Sequence, residues 1–570
     1  MSIGLQVRLN GTPIRGRIEG LDSFSVTYSR NESTGRTQKA FSNELTFYDD
    51  GFNLIFNQLV ASQTGLTKYI KVQIWDECCN DFIYQDLIIK GSMVKYCTGD
   101  CYVECTMIRQ DPDERIYECF DRTPITTDLE NADGSVNGNH WLVSPNSTIV
   151  IPKIPYCNEM RPAIFFYVFL SISLCIFFIA GAVNWLISLA FPNNPVNTLL
   201  TFIGQGVTGC GRLHPSPYIK DYINEAAIHC QCNQTQPFVS SFLENVNSRY
   251  YSVAFINAPL KKGVQVNSPT RYIVENRPRH TITEFLDMVA KDFNALWWIE
   301  NGRVYMERKD FFLGAPVLYD AIVNQKTGNI LKGACYTYNE GRVHAGQRIE
   351  AQNDMSEKSG NEKNKLYSGF FDYIKIHNSP AGWEAWDGVL DKQLSYAPIA
   401  FRPYDSIIDG FPLIGLLNTT YPNLGQFQGA CVFQDNEFAV HKYFEADPTS
   451  NDNFKKPRVA QISQFDTINN VWVTTGNAPN PAFNIIEQNN LTLNTPNIYN
   501  DFHAIDDPIN NRWRFWDYEI EVKMDCAMVR QLTVNKSVRL QTPYGTTVQA
   551  KINTIVANYG ERIITITGEF

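Results

Sequence analysis

The sequence predicts a mainly β protein with α insertions and one long apolar helix. Short segments of alternating apolar residues recur towards both ends of the 570-residue chain, separated by Gly, Asn and Asp, and 13% of the residues are aromatic. This pattern is typical of strands and turns. Long heptads are absent, and one run about a third of the way along the chain carries no charge. A chain of this length has room for roughly three to four domains, each with its own core.

The first 125 residues are predicted to form one β-rich unit. Alternating apolar residues from Ile3 to Leu9 predict a strand, and helical spacing from Phe52 to Val60 predicts a helix. Two hairpins follow, with polar turns at 76–81 and 98–100. Strands, then one helix, then paired strands that fold back on themselves predict a small barrel or split barrel over residues 1–125.

Residues 126–160 are dense in Asn, Asp, Gly and Ser and are predicted to be a linker loop. An insertion is predicted over 161–235. It contains the apolar run and then an amphipathic helix, in which Ile219, Tyr222, Ile223, Ala226 and Cys230 share one side.

An α/β unit is predicted over 236–330. Thr281 and Glu284 suit a capping box at the start of a helix, whose stripe is Phe285, Val289 and Phe293. Asn301-Gly302 suits the turn of the hairpin that follows.

The remainder of the chain is predicted to be a mixed region over 331–515 and a set of closing strands over 516–570. Residues 351–365 are charged and poor in apolar residues, so they are expected to form an exposed loop, and 380–500 has weak periodicity. The closing strands, joined by strands from 330–350, are predicted to form a second barrel-like unit.

Composition and motifs argue against two broad functions. The formal net charge is -10 and no long run of Lys and Arg occurs, which argues against a surface that tracks nucleic-acid phosphates. No GxSxG or HExxH occurs either. We therefore expect no catalytic residue and no cofactor.

The cysteines are expected to be buried thiols. The opening residues MSIGLQVRLNG alternate as a strand does, unlike a secretory signal, so we expect synthesis in a cytoplasm, where the 14 cysteines would stay reduced. Cys78 and Cys79 are expected in an ordinary turn. Cys101 and Cys105 are expected to share a strand face with Val103 and form a thiol-lined core, which is favoured over zinc.

One further group of residues resembles a metal-ligand set. It consists of Cys210, His214, His229, Cys230 and Cys232, which bracket one predicted helix. Zinc accepts such a mixture of sulfur and nitrogen ligands, but the spacing matches no standard zinc module. Buried thiols are favoured here, and zinc is the alternative.

The apolar run extends from Ala163 to Phe191, between Pro162 and Pro192. As a helix it is longer than the ~30 Å hydrocarbon core of a membrane, and Gly181 would let it bend. Two interpretations remain: contact with a membrane at some stage, or burial among symmetry copies in an oligomer. The residues expected to carry either role are Ala163, Phe165, Phe166, Phe169, Leu170, Leu174, Phe177, Phe178, Gly181, Trp185, Leu189 and Phe191.

Several stretches resemble the hub proteins of bacteriophage tails. FSNELTFYDDGFNLIFNQL, followed by KVQIW and LIIKGSMVKYCTGDCYVECTMIRQ, resembles their tube-like first domain. TITEFLDMVAKDFNALWWIENGRVYMER resembles the helix and hairpin in the middle of such hubs, and VRLQTPYGTTVQAKINTIVANYGERIITITGEF resembles their closing barrel. NDFHAIDDP at 500–508 is similar to a phrase in tail proteins of phages that infect Bacteroidota. The resemblance does not reach 160–235 or 380–500.

The resemblance implies a homotrimer with two tube-like β-barrel domains in each chain, placed around a central channel at the virion tail tip. Its role would be structural: to join the tail tube to the tip or spike, close the tail and form the conduit for DNA. The implied partners are the tail tube or distal tail protein, tip, spike or receptor-binding proteins, a tape-measure protein in the lumen, and transiently DNA and the host membrane. The chain would be made in the host bacterial cytoplasm. An acidic chain suits a channel wall that does not hold DNA, and a basic lumen would contradict this.

If the apolar run is an insertion between the domains of such a hub, three copies of its helix are expected to bundle on the trimer axis as a plug or tip and, on triggering, to enter the host envelope. Two other functions stay open at this point. One is a tail-associated cell-wall hydrolase, with 380–500 as its candidate domain. The other is a cellular single-pass membrane protein, for which the flanking basic residues Lys153, Arg161 and Arg212 give a weak orientation signal.

Overall fold

The structure is a computed structural model. It describes residues 4–31, 35–42, 44–61, 68–97, 99–125, 138, 140–143, 153–158, 210–215, 217–232, 235–248, 250–251, 253–255, 280–327, 329–350, 372–377, 388–395, 397–398, 432–434, 458–461, 463–466, 471–474, 495–507 and 515–570.

The strands of the first half, in chain order, are β1 (Leu5–Leu9), β2 (Thr12–Pro13), β3 (Ile18–Glu19), β4 (Ser25–Arg30), β5 (Thr37–Phe41), β6 (Glu44–Phe47), β7 (Tyr69–Asp76), β8 (Asp81–Lys90), β9 (Val94–Cys97), β10 (Tyr102–Thr106), β11 (Ile108–Arg109), β12 (Lys153–Asn158), β13 (Cys210–Pro215), β14 (Phe238–Val239) and β15 (Val253–Phe255). Those of the second half are β16 (Ala295–Glu300), β17 (Arg303–Arg308), β18 (Val317–Asp320), β19 (Ile330–Tyr338), β20 (Gly346–Glu350), β21 (Asp372–Ile376), β22 (Val389–Gln393), β23 (Ala397–Pro398), β24 (Val432–Gln434), β25 (Arg458–Gln461), β26 (Ser463–Asp466), β27 (Val471–Thr474), β28 (Trp516–Lys523), β29 (Ser537–Gln541), β30 (Thr547–Asn558) and β31 (Ile563–Glu569).

The α-helices are α1 (Asp49–Ile55), α2 (Pro112–Arg122), α3 (Ile219–His229), α4 (Ile282–Asp292), α5 (Ala321–Thr327), α6 (Thr495–Ile498) and α7 (Cys526–Val529). Two π-helical turns, Phe56–Val60 and Tyr499–His503, continue α1 and α6. Short 3-10 helices cover Gly91–Met93, Lys309–Leu313, Glu340–Arg342 and Ala504–Asp506.

The N-terminal strands form two sheets. One has the order β11-β8-β7-β1-β2 and the other the order β3-β6-β10-β9. Both predicted hairpins are confirmed, since β7 pairs antiparallel with β8 and β9 pairs antiparallel with β10. The predicted helix is confirmed as well, in α1 and its π-helical continuation, which bury Ile55 and Leu59.

The third large sheet contains strands from both ends of the chain. Its path is β18-β29-β30-β31-β28-β19, and β4 and β5 attach to it along β30. The alternation predicted near the C-terminus is confirmed, since Tyr518, Ile520 and Val522 of β28 are all buried. The contribution predicted from 330–350 comes from β19, which pairs with β28, whereas β20 forms a separate sheet with β21 and β22.

Two hydrophobic cores account for most of the buried residues in the described part of the chain. The first combines residues of β1–β10 with residues of β28–β31, so the N-terminal and C-terminal parts share it. The second surrounds α4 and the β16–β17 hairpin and includes the inward faces of α2 and α3.

The centre of the second core forms as the sequence predicts. Thr281 and Glu284 make the capping box, each side chain bonding the other residue's backbone N–H. Asn301 and Gly302 have φ angles of 54° and 70°, which are suited to a tight hairpin turn. The predicted stripe of α4 is buried, and so is the predicted face of α3.

The mainly β class is therefore confirmed, whereas the predicted barrels are not closed. Within the described strands all three large sheets are open. The reason lies in β4 and β5, which leave the N-terminal unit and extend the C-terminal sheet instead. The predicted apolar helix at 163–191 and the predicted loop at 351–365 lie outside the described residues, as does most of 380–500.

Candidate functional site

The two ends of the chain are joined by direct strand pairing. β4 runs antiparallel to β30, with Val26 opposite Ala557 and Tyr28 opposite Ile555. Val26, Ile555 and Ala557 are fully buried. A slip of one residue would turn these side chains to the opposite face, so burial fixes the register of the joint. The N-terminal and C-terminal parts are thereby held in one geometry.

Arg30, the last residue of β4, is the polar centre of this joint. Its guanidinium donates hydrogen bonds to the carbonyl of Val534 at 2.7 Å and to the side-chain oxygen of Asn535 at 2.8 Å. It also lies 4.2 Å from the centre of the Phe312 ring. Burial lowers the pKa of Arg30 to about 9, so the group stays charged at neutral pH. A buried cation needs such acceptors and aromatic faces in place of water.

A covalent link joins the same two parts at the turn between β7 and β8. Cys79 forms a disulfide with Cys526, which lies 447 residues away along the chain at the start of α7. Arg562 pairs with the buried carboxylate of Asp76 at 2.6 Å, immediately before this turn. Cys79 therefore lies in the turn as expected, whereas the expectation of a thiol at this position is wrong, because its sulfur is bonded to that of Cys526.

Among the other cysteines, the expectation of a buried thiol is confirmed at one position and wrong at others. Cys105 is a buried thiol, as expected, and burial raises its pKa to about 12. Cys101 is exposed, with a φ of 49° in the turn before β10, so the expectation that it lines the core is wrong. Cys119 and Cys230 form a second disulfide, which corrects the expectation of thiols at these positions.

The phrase NDFHAIDDP contributes a partly buried charged cluster, in which His503 is buried and the charged side chains are 20% to 28% exposed. The Asp506 carboxylate pairs with the ammonium of Lys392 at 2.7 Å and with that of Lys309 at 3.6 Å. It also accepts a hydrogen bond from the Asn294 side-chain amide at 3.0 Å. His503 lies beside them, with Nδ1 3.3 Å from the Lys392 nitrogen and Nε2 3.1 Å from the backbone carbonyl of Asp292. The cluster therefore ties the end of α4, β22 and the 499–506 helical turns together.

The protonation states in this cluster follow from its surroundings. Burial, and then the charge of Lys392, lowers the pKa of His503 to about 3, so the ring is neutral. A neutral ring that accepts from Lys392 at Nδ1 carries its proton on Nε2 and donates to the Asp292 carbonyl. Burial alone would raise the pKa of Asp506, but the charges of Lys309 and Lys392 hold it well below its usual range.

The chemistry of this cluster is that of a structural ion network. The carboxylate of Asp506 is engaged by cations, and His503 makes hydrogen bonds at both ring nitrogens. In the sequence this phrase stands out only through its resemblance to tail proteins. The signal in the sequence that indicates a polar cluster is the occurrence of His503, Asp506 and Asp507 shortly before Pro508.

The segment 159–209, which contains the predicted apolar run, lies between the paired strands β12 and β13. β12 and β13 pair antiparallel, with Lys153 opposite Pro215 and Cys157 opposite Cys210. On the body side, the Trp141 ring packs 5.3 Å from the ring of Tyr222 of α3, and the Cys119–Cys230 disulfide connects α2 to the end of α3. The pairing of β12 with β13 brings the two ends of the segment 159–209 together.

The predicted metal ligands lie on β13 and at the end of α3. The backbones of Cys210 and His214 lie in β13. Cys230 is in a disulfide, so its sulfur cannot serve as a thiolate, and burial raises the pKa of the Cys232 thiol to about 12. His229 ends α3 and packs on Trp141, 5.6 Å between ring centres. Among the described residues, no three or more His, Cys, Asp or Glu side chains are grouped in a way that could hold a metal ion.

The twelve residues expected to form the plug or membrane helix, Ala163 to Phe191, all lie outside the described residues. Among the helices that are described, none combines the length and the apolar character that crossing a membrane requires.

Comparisons with known proteins give distant similarities. No protein-family description matches the chain, and no curated protein does. Among solved structures, the chain is similar to the 43 kDa tail protein of prophage MuSo2 from Shewanella oneidensis, with a TM-score of 0.33 and 7% identity over 99% of this chain and 97% of that one. It is similar to a tail protein from Neisseria meningitidis MC58, with a TM-score of 0.33 and 8% identity over 99% and 96% of the two chains. It is also similar to prophage tail protein gp18 from Listeria monocytogenes EGD-e, with a TM-score of 0.31 and 7% identity over 99% and 94%. Scores at this level do not establish a common fold.

Proposed function

We propose that this chain is a structural protein of a bacteriophage tail, and within the tail a hub that joins the tube to the tip. The observation that carries the proposal is the joint between the two ends of the chain: β4 pairs with β30, and the N-terminal and C-terminal strands share one core. The two units joined in this way, the N-terminal and the C-terminal, are the ones that contain the stretches resembling the opening and closing domains of tail hubs. A protein in which the N-terminal and C-terminal strands pair and share one core suits a structural role that requires a fixed shape.

The proposed assembly is a homotrimer at the tail tip. Each copy supplies two tube-like β units to the wall of a channel for DNA, and the tube, tip and tape-measure proteins are its neighbours. The net charge of -10 suits a wall that does not retain the DNA passing through it. No residue has a catalytic role in this proposal.

The segment between β12 and β13 has a separate role in the proposal. It contains Ala163–Phe191, which we propose to be an apolar plug on the axis that enters the host envelope at infection. The antiparallel pairing of β12 with β13 supports the separability of this segment, because it leaves the body and returns at neighbouring backbone positions.

Two experiments test the assembly. Native mass spectrometry of the full chain is expected to give a trimer, and electron microscopy of phage particles is expected to show three copies at the tail end. A stable monomer together with an empty tail-end position would contradict the hub.

Incubation with peptidoglycan is expected to release nothing, and cleavage would favour a cell-wall hydrolase instead.

A deletion tests the plug separately from the hub. Phage in which Ala163–Phe191 is replaced by a short Gly-Ser linker are expected to assemble and adsorb but to fail in DNA delivery. The matched control replaces the same segment with a charged sequence of equal length, which should fail in the same way if apolar character is what matters. Normal infectivity of the deletion phage would refute the plug and leave the hub untouched.

A further inference from the structure

The disulfide between Cys79 and Cys526 has different surroundings at its two sulfur atoms. Cys79 is buried in the turn between β7 and β8, whereas Cys526, the first residue of α7, is partly exposed. The Arg562 guanidinium donates to the Cys79 sulfur from Nη2, at 3.4 Å. The Cys526 sulfur lies 3.9 Å from the backbone carbonyl oxygen of Cys78. The two ends of the bond are therefore chemically unequal.

We propose that this bond is a thiol–disulfide exchange site in which one sulfur is attacked and the other leaves. A small thiolate of the glutathione class attacks the Cys526 sulfur, and Cys79 is the leaving group. The product is a mixed disulfide on Cys526 and a Cys79 thiolate beside Arg562. The start of α7 is thus a position for reversible S-thiolation. The inference concerns this bond alone and does not depend on the role of the chain in a tail.

The direction of exchange follows from which sulfur better carries a negative charge. A sulfur that departs more easily as a thiolate makes exchange faster, and a neighbouring guanidinium stabilises a thiolate. Arg562 supplies that group to Cys79. Within the described part of the chain no cationic group donates a hydrogen bond to the Cys526 sulfur, and the carbonyl oxygen beside it disfavours a thiolate there. Both contacts favour Cys79 as the leaving sulfur.

Arg562 is held beside the sulfur by a second contact. Its Nη1 pairs with the buried carboxylate of Asp76 at 2.6 Å, and a guanidinium has enough N–H donors to reach the sulfur as well. The other oxygen of Asp76 accepts from the backbone N–H of Cys78 at 2.9 Å, which holds the turn. Asp76 offsets part of the charge of Arg562. The N–H directed at the Cys79 sulfur still stabilises a thiolate, because it donates a charge-assisted hydrogen bond to it.

The exchange step balances with a small thiol as the co-reactant. A bond forms between the small-thiol sulfur and the Cys526 sulfur, the bond from Cys526 to Cys79 breaks, and its electron pair stays on Cys79. One disulfide replaces another, so the step needs no oxidant or reductant beyond the small thiol. Attack of the Cys79 thiolate on the Cys526 sulfur reverses it and releases the small thiolate.

The first test uses the full chain with its disulfide formed, incubated with glutathione at neutral pH, quenched with acid at short times and then alkylated. Peptide mass spectrometry reports which cysteine carries glutathione and which carries the alkyl group. We expect glutathione on Cys526 and the alkyl group on Cys79, in about fivefold or greater excess over the reverse product. Cys78 is an exposed free thiol in the same turn, so the experiment is repeated with Cys78→Ser, which should give the same adduct.

Two variants test the guanidinium. Arg562→Gly removes it and suits the backbone, because the φ of this residue is 61°. It should lower the rate of adduct formation at Cys526 by about threefold to tenfold. Arg530→Ala is the matched control: Arg530 donates to the Cys79 carbonyl at 3.3 Å and to Asp81 at 2.8 Å, so the rate should stay the same.

Four results would overturn the proposal. One is glutathione on Cys79, or equally on both sulfurs, which needs no variant and is decisive even if Arg562→Gly fails to fold. Another is an unchanged rate in Arg562→Gly. The third is a fall in Arg530→Ala as large as that in Arg562→Gly, because charge near the turn and not the bond to sulfur would then set the rate. The fourth is loss of the adduct in Cys78→Ser, which would make Cys78 the attacking thiol.

Discussion

The guanidinium of Arg30 donates a 2.8 Å hydrogen bond to the side-chain oxygen of Asn535, 505 residues further along the chain. The Asn535 amide in turn donates to Glu300 at 3.1 Å. One polar chain of contacts thus connects an early strand, the central hairpin and a late loop. The contribution of these contacts to the free energy of unfolding can be measured directly.

Replacing Arg30 with Met should lower the free energy of unfolding by about 2–4 kcal/mol, because the carbonyl of Val534 and the oxygen of Asn535 lose a charged donor while buried. Denaturant unfolding measures the change. The double variant with Asn535→Ala should cost less than the sum of the two single variants, since both remove the same bond. Full additivity would show that the two side chains act independently.

The variant C79S/C526S should lose about 2–5 kcal/mol of stability, because the disulfide restrains two distant parts of the unfolded chain. Calorimetry of oxidised protein measures this as a lower melting temperature. Cys335→Ser is the matched control: Cys335 is an exposed free thiol, and its replacement should change stability by less than about 0.5 kcal/mol. An unchanged melting temperature for C79S/C526S would mean that the bond is absent in solution.

His503 should make the chain less stable as the pH falls. Its pKa is about 3 in the folded chain against 6.5 in the unfolded chain. Between these values the unfolded chain binds a proton that the folded chain does not, so the free energy of unfolding falls by up to about 1.4 kcal/mol per pH unit as the pH is lowered through the window. Urea unfolding between about pH 5 and 7 measures the slope.

His503→Gln should flatten this slope, and His280→Gln, which alters a partly exposed histidine, should leave it as it is. The lowered pKa of Asp506 also favours the folded chain at high pH, but that contribution is lost only below the ordinary carboxyl range. Above pH 5 the other contributions come from His229, His344 and His377, whose pKa values burial also lowers, and from Glu244, whose pKa burial raises to about 7. The difference between the slopes of the unchanged chain and of His503→Gln therefore isolates His503, and equal slopes would contradict its contribution.

Gly302→Ala should cost about 1–2 kcal/mol, because the hairpin turn requires a φ of 70° at this position. Asn301→Gly, at a φ of 54° one residue earlier, is the matched control and should be nearly neutral, since glycine accepts this conformation. Thermal unfolding compares the two. Equal effects at both positions would show that the turn relaxes to another geometry.

Local signals predicted the second core well. The capping box of Thr281 with Glu284 and the turn at Asn301-Gly302 are encoded by residues a few positions apart, so their chemistry is visible in the sequence. The buried faces of α3 and α4 follow from helical spacing in the same way. These elements depend on neighbours in the chain and on little else.

The contacts that the sequence did not predict connect residues far apart. No spacing rule indicates that Val26 faces Ala557 or that Cys79 meets Cys526. Cytoplasmic synthesis favoured thiols for all cysteines, but two pairs lie close enough in the fold to be bonded. The ion cluster around Asp506 has the same origin, since Lys309 and Lys392 reach it from separate elements.

The pairing of β4 with β30 has a consequence for how the chain is made. On the ribosome β4 emerges early, yet the strand it pairs with is synthesised more than 500 residues later, as the register between Val26 and Ala557 requires. At about 5–20 residues per second, the early strand waits tens of seconds without its partner. An unpaired strand of this kind is prone to aggregation, and pairing over such a separation is slow. Nascent chains should therefore need a holding chaperone until translation ends, and pulse-labelled chains should acquire protease resistance only after release.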